Sequence, residues 1–188
     1  MVYHGMAHSN RKLENLIKIM DKLDPRFTLD LLLTGNNNDI KKIKDLSANQ
    51  SKTVVRDAVP FDQIIPTLSK YDIGIFYCEP TTLNLLFCLP NKIFEFIQAK
   101  LAVAIGPSPN IVEILNKYDC GIISRDFSVK NMADCLSSLD NRMIMKLKEN
   151  SSRAAEKLCF EKEGKKLKSI IKQNLMIPPF SNTVDHHS

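Results

Sequence analysis

Side chains that suit a phosphorylated ligand are concentrated in one short segment, residues 90–95. Pro90 cannot continue a helix but suits the position just before one, and Asn91 is a good N-cap, so we predict a helix start here. Lys92 would then lie at a helix N-terminus, which favours anions such as phosphate. Glu95, one turn in, can accept two hydrogen bonds from the vicinal hydroxyls of a ribose, or can simply complement the helix dipole.

This helix belongs to an alternating series of strands and helices. Apolar runs predict strands at residues 2–4, 29–34, 53–58, 73–77, 101–105 and 120–123. Segments with helical periodicity follow them, so the chain is predicted to be an α/β protein with a doubly wound parallel sheet. We expect the strand order 3-2-1-4-5-6, right-handed crossovers and helices on both faces. In open α/β sheets, ligands bind at the carboxyl ends of the strands, where the helix start at residue 91 should lie.

Pro90, Asn91, Lys92 and Glu95 also carry a resemblance to a known family. They are similar to the Pro-Asn-Lys-x-x-Glu-Tyr segment of bacterial group 1 glycosyltransferases that have the GT-B fold, which is built from two Rossmann-like domains. The segment lies in the C-terminal, nucleotide-sugar-binding domain of that fold. The resemblance implies that Glu95 holds the donor ribose, that Lys92 and Asn91 meet the donor diphosphate, and that sugar transfer retains anomeric configuration.

The resemblance covers most of the chain and sets the expected domain boundaries. We predict a Rossmann-like donor-binding domain over residues 1–173 and a C-terminal tail over residues 174–188. A GT-B enzyme also needs an N-terminal domain, which supplies the acceptor site and usually the catalytic base. Because the resemblance covers the C-terminal domain alone, we interpret the chain as half of an enzyme, inactive without the other domain. The short predicted first strand at residues 2–4 favours a fragment of a longer protein over an acceptor domain on a separate polypeptide.

The resemblance further assigns phosphate binding to Gly5 and Arg11. The family has a glycine at the end of the first strand and a basic residue six positions later. Gly5 would let the backbone approach the phosphates, and a guanidinium can hold phosphate oxygens at two points, although Arg11 can also be a solvated helix-entry charge. The chain has Met6 where the family has arginine, and Lys12, which can compensate, where it has glycine. We assign the electrostatic catalysis of diphosphate departure to Arg11 and Lys92.

Two loops complete the predicted site. Gly35 follows the second strand and faces the same crevice, and Val59 ends the third strand, where the family places the nucleobase. The family has two glutamates separated by seven residues, and the first of these is Phe87 here. Glu79 lies in the same loop and can substitute at a different spacing.

Composition limits the other classes. The net charge is +5, and from residue 142 to residue 172 there are ten basic and four acidic residues. This run is either the solvated face of two helices or a contact for anionic lipid headgroups, and it lacks the aromatic residues that favour nucleic-acid binding. The five cysteines form no C-x-x-C pair and are expected to be reduced. His4 and His8 lack a carboxylate partner in sequence and are a poor metal site, so we expect neither metal nor cofactor.

The sequence therefore predicts a glycosyltransferase domain that binds a UDP- or GDP-linked sugar for transfer to a saccharide or a lipid-linked acceptor in polysaccharide or glycolipid synthesis. We expect a cytoplasmic location, at the inner face of a membrane, with peripheral contact to it. Two alternatives stay open. The domain can bind a nucleotide or nucleotide sugar without turnover, as an interaction subunit, or it can be a sugar-nucleotide epimerase of the same architecture.

Overall fold

Six parallel strands form one sheet in the order β3-β2-β1-β4-β5-β6 in the computed structural model, which describes residues 1–175. The strands are β1 Val2–Ala7, β2 Leu29–Gly35, β3 Thr53–Asp57, β4 Ile73–Phe76, β5 Ala102–Ile105 and β6 Gly121–Ile123. Every neighbouring pair is parallel. The predicted fold class and strand order are confirmed. The central strands β4 and β5 are buried along their whole length, as expected for apolar runs in a parallel sheet covered on both faces.

Nine α-helices lie within residues 1–175, and the first eight cover both faces of the sheet. They are α1 Glu14–Lys22, α2 Asn37–Ser47, α3 Ile64–Leu68, α4 Leu83–Phe87, α5 Asn91–Gln98, α6 Pro109–Tyr118, α7 Val129–Ser137, α8 Asn141–Ala155 and α9 Phe160–Leu175. Helices α1 and α7 pack together on one face, and α3 and α8 pack with α5 on the other. None of the helices within residues 1–175 combines the length and the apolar character needed to cross a membrane.

The core on the α1 face follows strand alternation. Leu29, Leu31 and Leu33 of β2 point to this face, where they are buried with side chains from α1 and α7. On the opposite face, α5 lies close to β4 because Gly74 has no side chain. A Cβ added to Gly74 would lie 2.4 Å from the Phe96 ring, so the glycine sets the distance between α5 and the sheet.

Two local predictions are corrected. Strand β1 is not short: it continues through Gly5 to Ala7, because Gly5 adopts a φ of +126° that allows the strand to extend. The segment after β4 was predicted as loop, yet α4 forms there, capped by the Thr82 side chain, which accepts from the Leu85 N–H. Helix α3 starts at Ile64, which leaves Pro66 in its first turn, where a proline is tolerated.

The chain divides into two compact units, and the boundary between them in the sequence lies between Glu156 and Lys157. The first, Met1–Glu156, contains the whole sheet. The described part of the second consists of the end of the α8–α9 connection and α9, which reaches Leu175. The predicted boundary at residue 173 stays a prediction, and residues 176–188 of the predicted tail lie outside the described part of the chain.

Candidate functional site

The predicted site residues lie at the carboxyl edge of the sheet, around the ends of β1 and β4. These two strands are neighbours at the centre of the sheet. From β1 the chain adds β2 and β3 on one side, and from β4 it adds β5 and β6 on the other. Such a switch point leaves a crevice between the loops that leave in opposite directions. The residues that follow β1 and the start of α5, which follows β4, face each other there.

The start of α5 differs from the prediction in one respect. Pro90 is the N-cap residue and Asn91 is the first helical residue, so Asn91 does not cap the helix through its side chain. The backbone φ of Pro90, −75°, already suits the entry to a helix, which explains why no side-chain cap is needed. Asn91 is exposed at the helix mouth, and its assignment to the diphosphate stays a prediction.

Lys92 reaches from α5 to the end of β1, directly over Gly5. A Cβ added to Gly5 would lie 2.3 Å from the Lys92 Nζ and 2.9 Å from its Cε. The φ of +126° at Gly5 also disfavours any residue with a side chain. Gly5 therefore provides the space in which the Lys92 ammonium sits, 5.6 Å from the centre of the Tyr3 ring.

Lys92 and Arg11 are neighbouring cations, called the cationic pair below, and neither forms an ion pair within residues 1–175. No carboxylate of residues 1–175 lies within ion-pair distance of either side chain, and both are half-buried. Burial lowers the pKa of Lys92, the neighbouring Arg11 charge lowers it further, and Glu95 opposes these effects. Uncompensated half-buried charge is costly, so this arrangement indicates a site for an anion.

Lys12, which was expected to replace a missing family charge, is already paired. Its Nζ donates to the Glu79 carboxylate at 2.7 Å. Glu79, considered as a substitute for the first family glutamate, is the other half of this exposed pair. The positive charge that remains available in this loop belongs to Arg11, in a 3-10 turn at Ser9–Arg11 just after β1.

Cys78 and Tyr3, which were not predicted, also lie beside the cationic pair. Arg11 points its Nη1 at the Cys78 Sγ, 3.8 Å away, and this contact orients the guanidinium toward β4. Tyr3 is buried, its hydroxyl has no hydrogen-bond partner within residues 1–175, and burial raises its pKa to about 12. The alternation of β1 places Tyr3 and Gly5 on one face, which is the sequence feature that links Tyr3 to Lys92.

Glu95 lies one helical turn after Lys92 and contacts His4 on β1. The Glu95 Oε2 is 2.9 Å from the His4 Nε2 but lies off the direction of a straight hydrogen bond. The two side chains are 21% and 12% exposed. The His4 ring also meets Phe96 edge-on, with ring centres 5.5 Å apart. The sequence analysis considered His4 only as a metal ligand. Its position directly before Gly5 is the sequence feature that would have identified it as a residue of this site.

An apolar pocket of about 140 Å³ opens beside His4 and Gly5. Val59, two residues after β3, lines this pocket, and its assignment to the nucleobase stays a prediction. The other lining residues come from the neighbouring strands and α3: Leu32, Thr34, Ala58, Ile64 and Leu68. The pocket and the cationic pair lie on the two sides of Gly5, because the side chains of His4 and Tyr3 leave β1 in opposite directions.

Gly35 has a backbone role at the end of β2. Its φ is +127°, and a Cβ there would lie 2.8 Å from the Ala7 carbonyl oxygen, so only glycine lets β1 and β2 end this close together. Gly35 thus shapes the edge of the crevice, and its contact with a ligand stays a prediction. Within residues 1–175, no group of three or more His, Cys, Asp or Glu side chains is placed to hold a metal ion.

The rim of the crevice carries exposed apolar side chains. Phe87, at the position of the first family glutamate, is 49% exposed at the end of α4, and Leu83 is 75% exposed at its start. Met6 and Leu89 are also exposed. These four residues, called the apolar rim below, lie at the end of β1 and in the segment between β4 and α5.

Comparison with known proteins supports the fold assignment. No protein-family model matches the sequence, and no curated protein matches it. Solved structures do match: the C-terminal domain of the glycosyl transferase group 1 family protein LpcC from Francisella tularensis has a TM-score of 0.65 at 16% identity, over 84% of each chain. WaaG, a glycosyltransferase involved in lipopolysaccharide biosynthesis, has a TM-score of 0.68 at 13% identity over 90% of this chain.

A third match is TarM from S. aureus, solved in complex with fondaparinux, α-GlcNAc-glycerol and UDP, with a TM-score of 0.68 at 10% identity over 93% of this chain. This chain spans 46% of WaaG and 34% of TarM, but 84% of the isolated LpcC domain. At these identities the matches define the fold alone: a Rossmann-like domain equivalent to the C-terminal half of a GT-B glycosyltransferase.

Proposed function

We propose that this chain is the donor-binding domain of a glycosyltransferase that moves a sugar from a nucleoside diphosphate to an acceptor hydroxyl. The observation that carries the proposal is the cationic pair of Lys92 and Arg11, which lies beside Gly5 at the switch point and has no carboxylate partner within residues 1–175. A diphosphate supplies the negative charge that this pair lacks, and its departure is stabilised by the same two cations.

The rest of the crevice suits the other parts of a nucleotide sugar. The pocket lined by Val59 offers an apolar cleft for a base, and UDP, the nucleotide bound to TarM, is our first choice for the donor. Glu95 lies between the pocket and Lys92, where its carboxylate can accept from both ribose hydroxyls. The diphosphate would then pass over Gly5, which leaves the backbone open to it, and reach Lys92 and Arg11.

The acceptor site belongs, in this proposal, to a second domain. The apolar rim lies at the open side of the crevice, where closure by a partner would bury it and exclude water from the reaction. WaaG acts in lipopolysaccharide biosynthesis, and we propose a saccharide or a lipid-linked acceptor for this chain as well. Transfer with retention of configuration is part of the same proposal, and no metal or other cofactor is invoked.

Helix α9 supports the proposed contact with a membrane. It contains five lysines and two glutamates, and it exposes Phe160, Leu167 and Ile171 along one stripe at positions i, i+7 and i+11. Such a helix can lie in the plane of an anionic lipid surface, with its apolar stripe inserted and its lysines at the headgroups. We propose that it does so at the cytoplasmic face of the membrane that holds the acceptor.

The test is a donor panel followed by a transfer assay on the isolated chain. We expect calorimetry to detect binding of a nucleoside diphosphate and its sugar, without transfer to an acceptor until the second domain is supplied. Binding without transfer even when that domain is present would favour the non-catalytic alternative. Absence of binding to any nucleoside diphosphate or nucleotide sugar would overturn the proposal.

A further inference from the structure

His4 occupies a rigid position at the centre of the sheet. It lies on β1, where its Cα partner on β2 is Leu32. The ring packs edge-on against Phe96, at an interplanar angle of 84°. Phe96 in turn rests on Gly74 of β4, which leaves no room for a Cβ. The direction in which the His4 ring points is therefore fixed by the sheet and by α5, independently of any ligand.

The polar end of this ring meets the carboxylate that faces the ribose site. The His4 Nε2 is closed off from solvent, and the Glu95 Oε2 at 2.9 Å is the polar partner that the structure places beside it. The angle between them is not that of a well-formed hydrogen bond. Hydrogen bonds in ligand-free functional sites are often poorly aligned and tighten when the ligand binds. A histidine that served packing alone would leave this buried nitrogen unsatisfied, which is unfavourable.

A glutamate side chain has three rotatable bonds, and fixing it in one rotamer opposes binding. A group that holds the carboxylate beforehand removes that cost from the binding step. We propose that His4 is a positioning residue that donates from Nε2 to Glu95 and thereby sets the selectivity of the site for a ribose over a 2′-deoxyribose. This inference rests on the proposed function, because it needs a nucleotide whose ribose faces Glu95.

The selectivity depends on geometry at both carboxylate oxygens. A vicinal diol donates two hydrogen bonds and so requires the carboxylate plane to be correctly oriented, whereas a 2′-deoxyribose donates one and tolerates rotation. Loss of the His4 donor should therefore weaken binding of the ribonucleotide more than binding of the deoxyribonucleotide. A general loss of structure would weaken both equally.

The experiment compares UDP with 2′-deoxy-UDP by calorimetry on the 188-residue chain and on two variants. His4→Phe keeps a ring against Phe96 and removes the Nε2 donor, and His4→Gln restores a neutral N–H donor. For the unchanged chain we expect about tenfold preference for UDP, the scale of one hydrogen bond. The preference should fall to about threefold or less in His4→Phe and recover in His4→Gln.

The outcomes separate this inference from the proposed function. If the unchanged chain binds neither of these nor any other nucleoside diphosphate or nucleotide sugar, both are overturned. If it binds UDP selectively and His4→Phe keeps the full preference, the proposed function stands and the role of His4 is overturned. A His4→Gln variant that folds, as judged by its thermal unfolding, but selects no better than His4→Phe would also overturn it.

Discussion

Two half-buried lysines at opposite ends of the sheet differ in whether they are paired with a carboxylate. At the amino end, Lys148 of α8 donates to the Asp72 carboxylate at 2.7 Å and to the Tyr71 carbonyl at 3.1 Å. At the carboxyl end, Lys92 has the Tyr3 ring and Arg11 as neighbours and no carboxylate within ion-pair distance in residues 1–175. Lys148 is thus paired with a carboxylate at the end where we propose no ligand, whereas within residues 1–175 Lys92 forms no ion pair at the end where we propose that the donor binds.

The largest expected effect is on diphosphate affinity when one of these lysines is replaced. Lys92→Met should weaken UDP binding by about 3 kcal/mol, or about 150-fold, because it removes a charged hydrogen bond in a half-buried site. Lys148→Met, the matched control at the other end of the sheet, should leave UDP affinity unchanged in the same calorimetric titration. Equal effects of the two replacements would show that the ends of the sheet do not differ in function.

Glu95→Ala should weaken UDP binding by about 1.5–3 kcal/mol, the scale of a hydrogen bond to a charged group, and should barely change fold stability. The side chain is partly exposed, and within residues 1–175 it lies within ion-pair distance of His4 alone. Calorimetry on the variant checks the first expectation and thermal unfolding checks the second. Unchanged UDP affinity would remove Glu95 from the ribose site.

Arg11→Ala tests whether the cationic pair recognises phosphate specifically. We expect a loss of about tenfold in affinity for UDP and little change for uridine, which has no phosphate to contact the guanidinium. Competition binding with both ligands gives the ratio. If both ligands lose affinity equally, the turn at Ser9–Arg11 shapes the site without contacting the diphosphate.

The pKa of Lys92 predicts the pH dependence of binding. Because burial lowers this pKa, Lys92 loses its proton at a lower pH than an exposed lysine does, and a neutral amine no longer pairs with phosphate. UDP affinity should therefore be full below the Lys92 pKa and fall as the pH rises through it, and this dependence should disappear in Lys92→Met. Titrations across the alkaline range would contradict the assignment if both chains lost affinity in parallel.

The smallest expected effect is on stability, and its sign differs between the two lysines. The folded-state pKa of Lys92 lies below its unfolded value, so its charge opposes folding at neutral pH and less so as the pH rises through that pKa. Lys92→Met should raise the free energy of unfolding at neutral pH by about 0.5–2 kcal/mol. Lys148→Met breaks a partly exposed pair and should lower it by about 1 kcal/mol or less. Urea unfolding measures both.

Sequence patterns were sufficient for the sheet but not for its edges. Nearly continuous apolar runs such as residues 29–34 have few alternatives to a buried strand, and the alternation with helices then predicted the strand order. The length of β1 was misjudged because Gly5 ordinarily ends a strand, whereas here its positive φ continues one. Helix α4 was missed because five residues are too few for a recognisable period, and its formation depends on the Thr82 cap.

The sequence predicted which residues would form the candidate site, but it did not predict which of their side chains contact each other. Lys92, Arg11 and Glu95 were named from motif and spacing, and the structure brings them together around Gly5. The contact of Glu95 with His4 joins residues far apart in sequence. It depends on the His4 side chain pointing to the face of the sheet on which α5 packs, which composition does not reveal. The pairing of Lys12 with Glu79 is of the same kind.

The most direct test of the central claim is a calorimetric comparison of UDP, UMP and uridine on the unmodified chain. If the cationic pair of Lys92 and Arg11 is reserved for a donor diphosphate, affinity should rise from uridine to UMP to UDP, by about tenfold for each phosphate that gains a charged contact. Uridine binding as tightly as UDP, or no ligand in the series binding at all, would contradict the account.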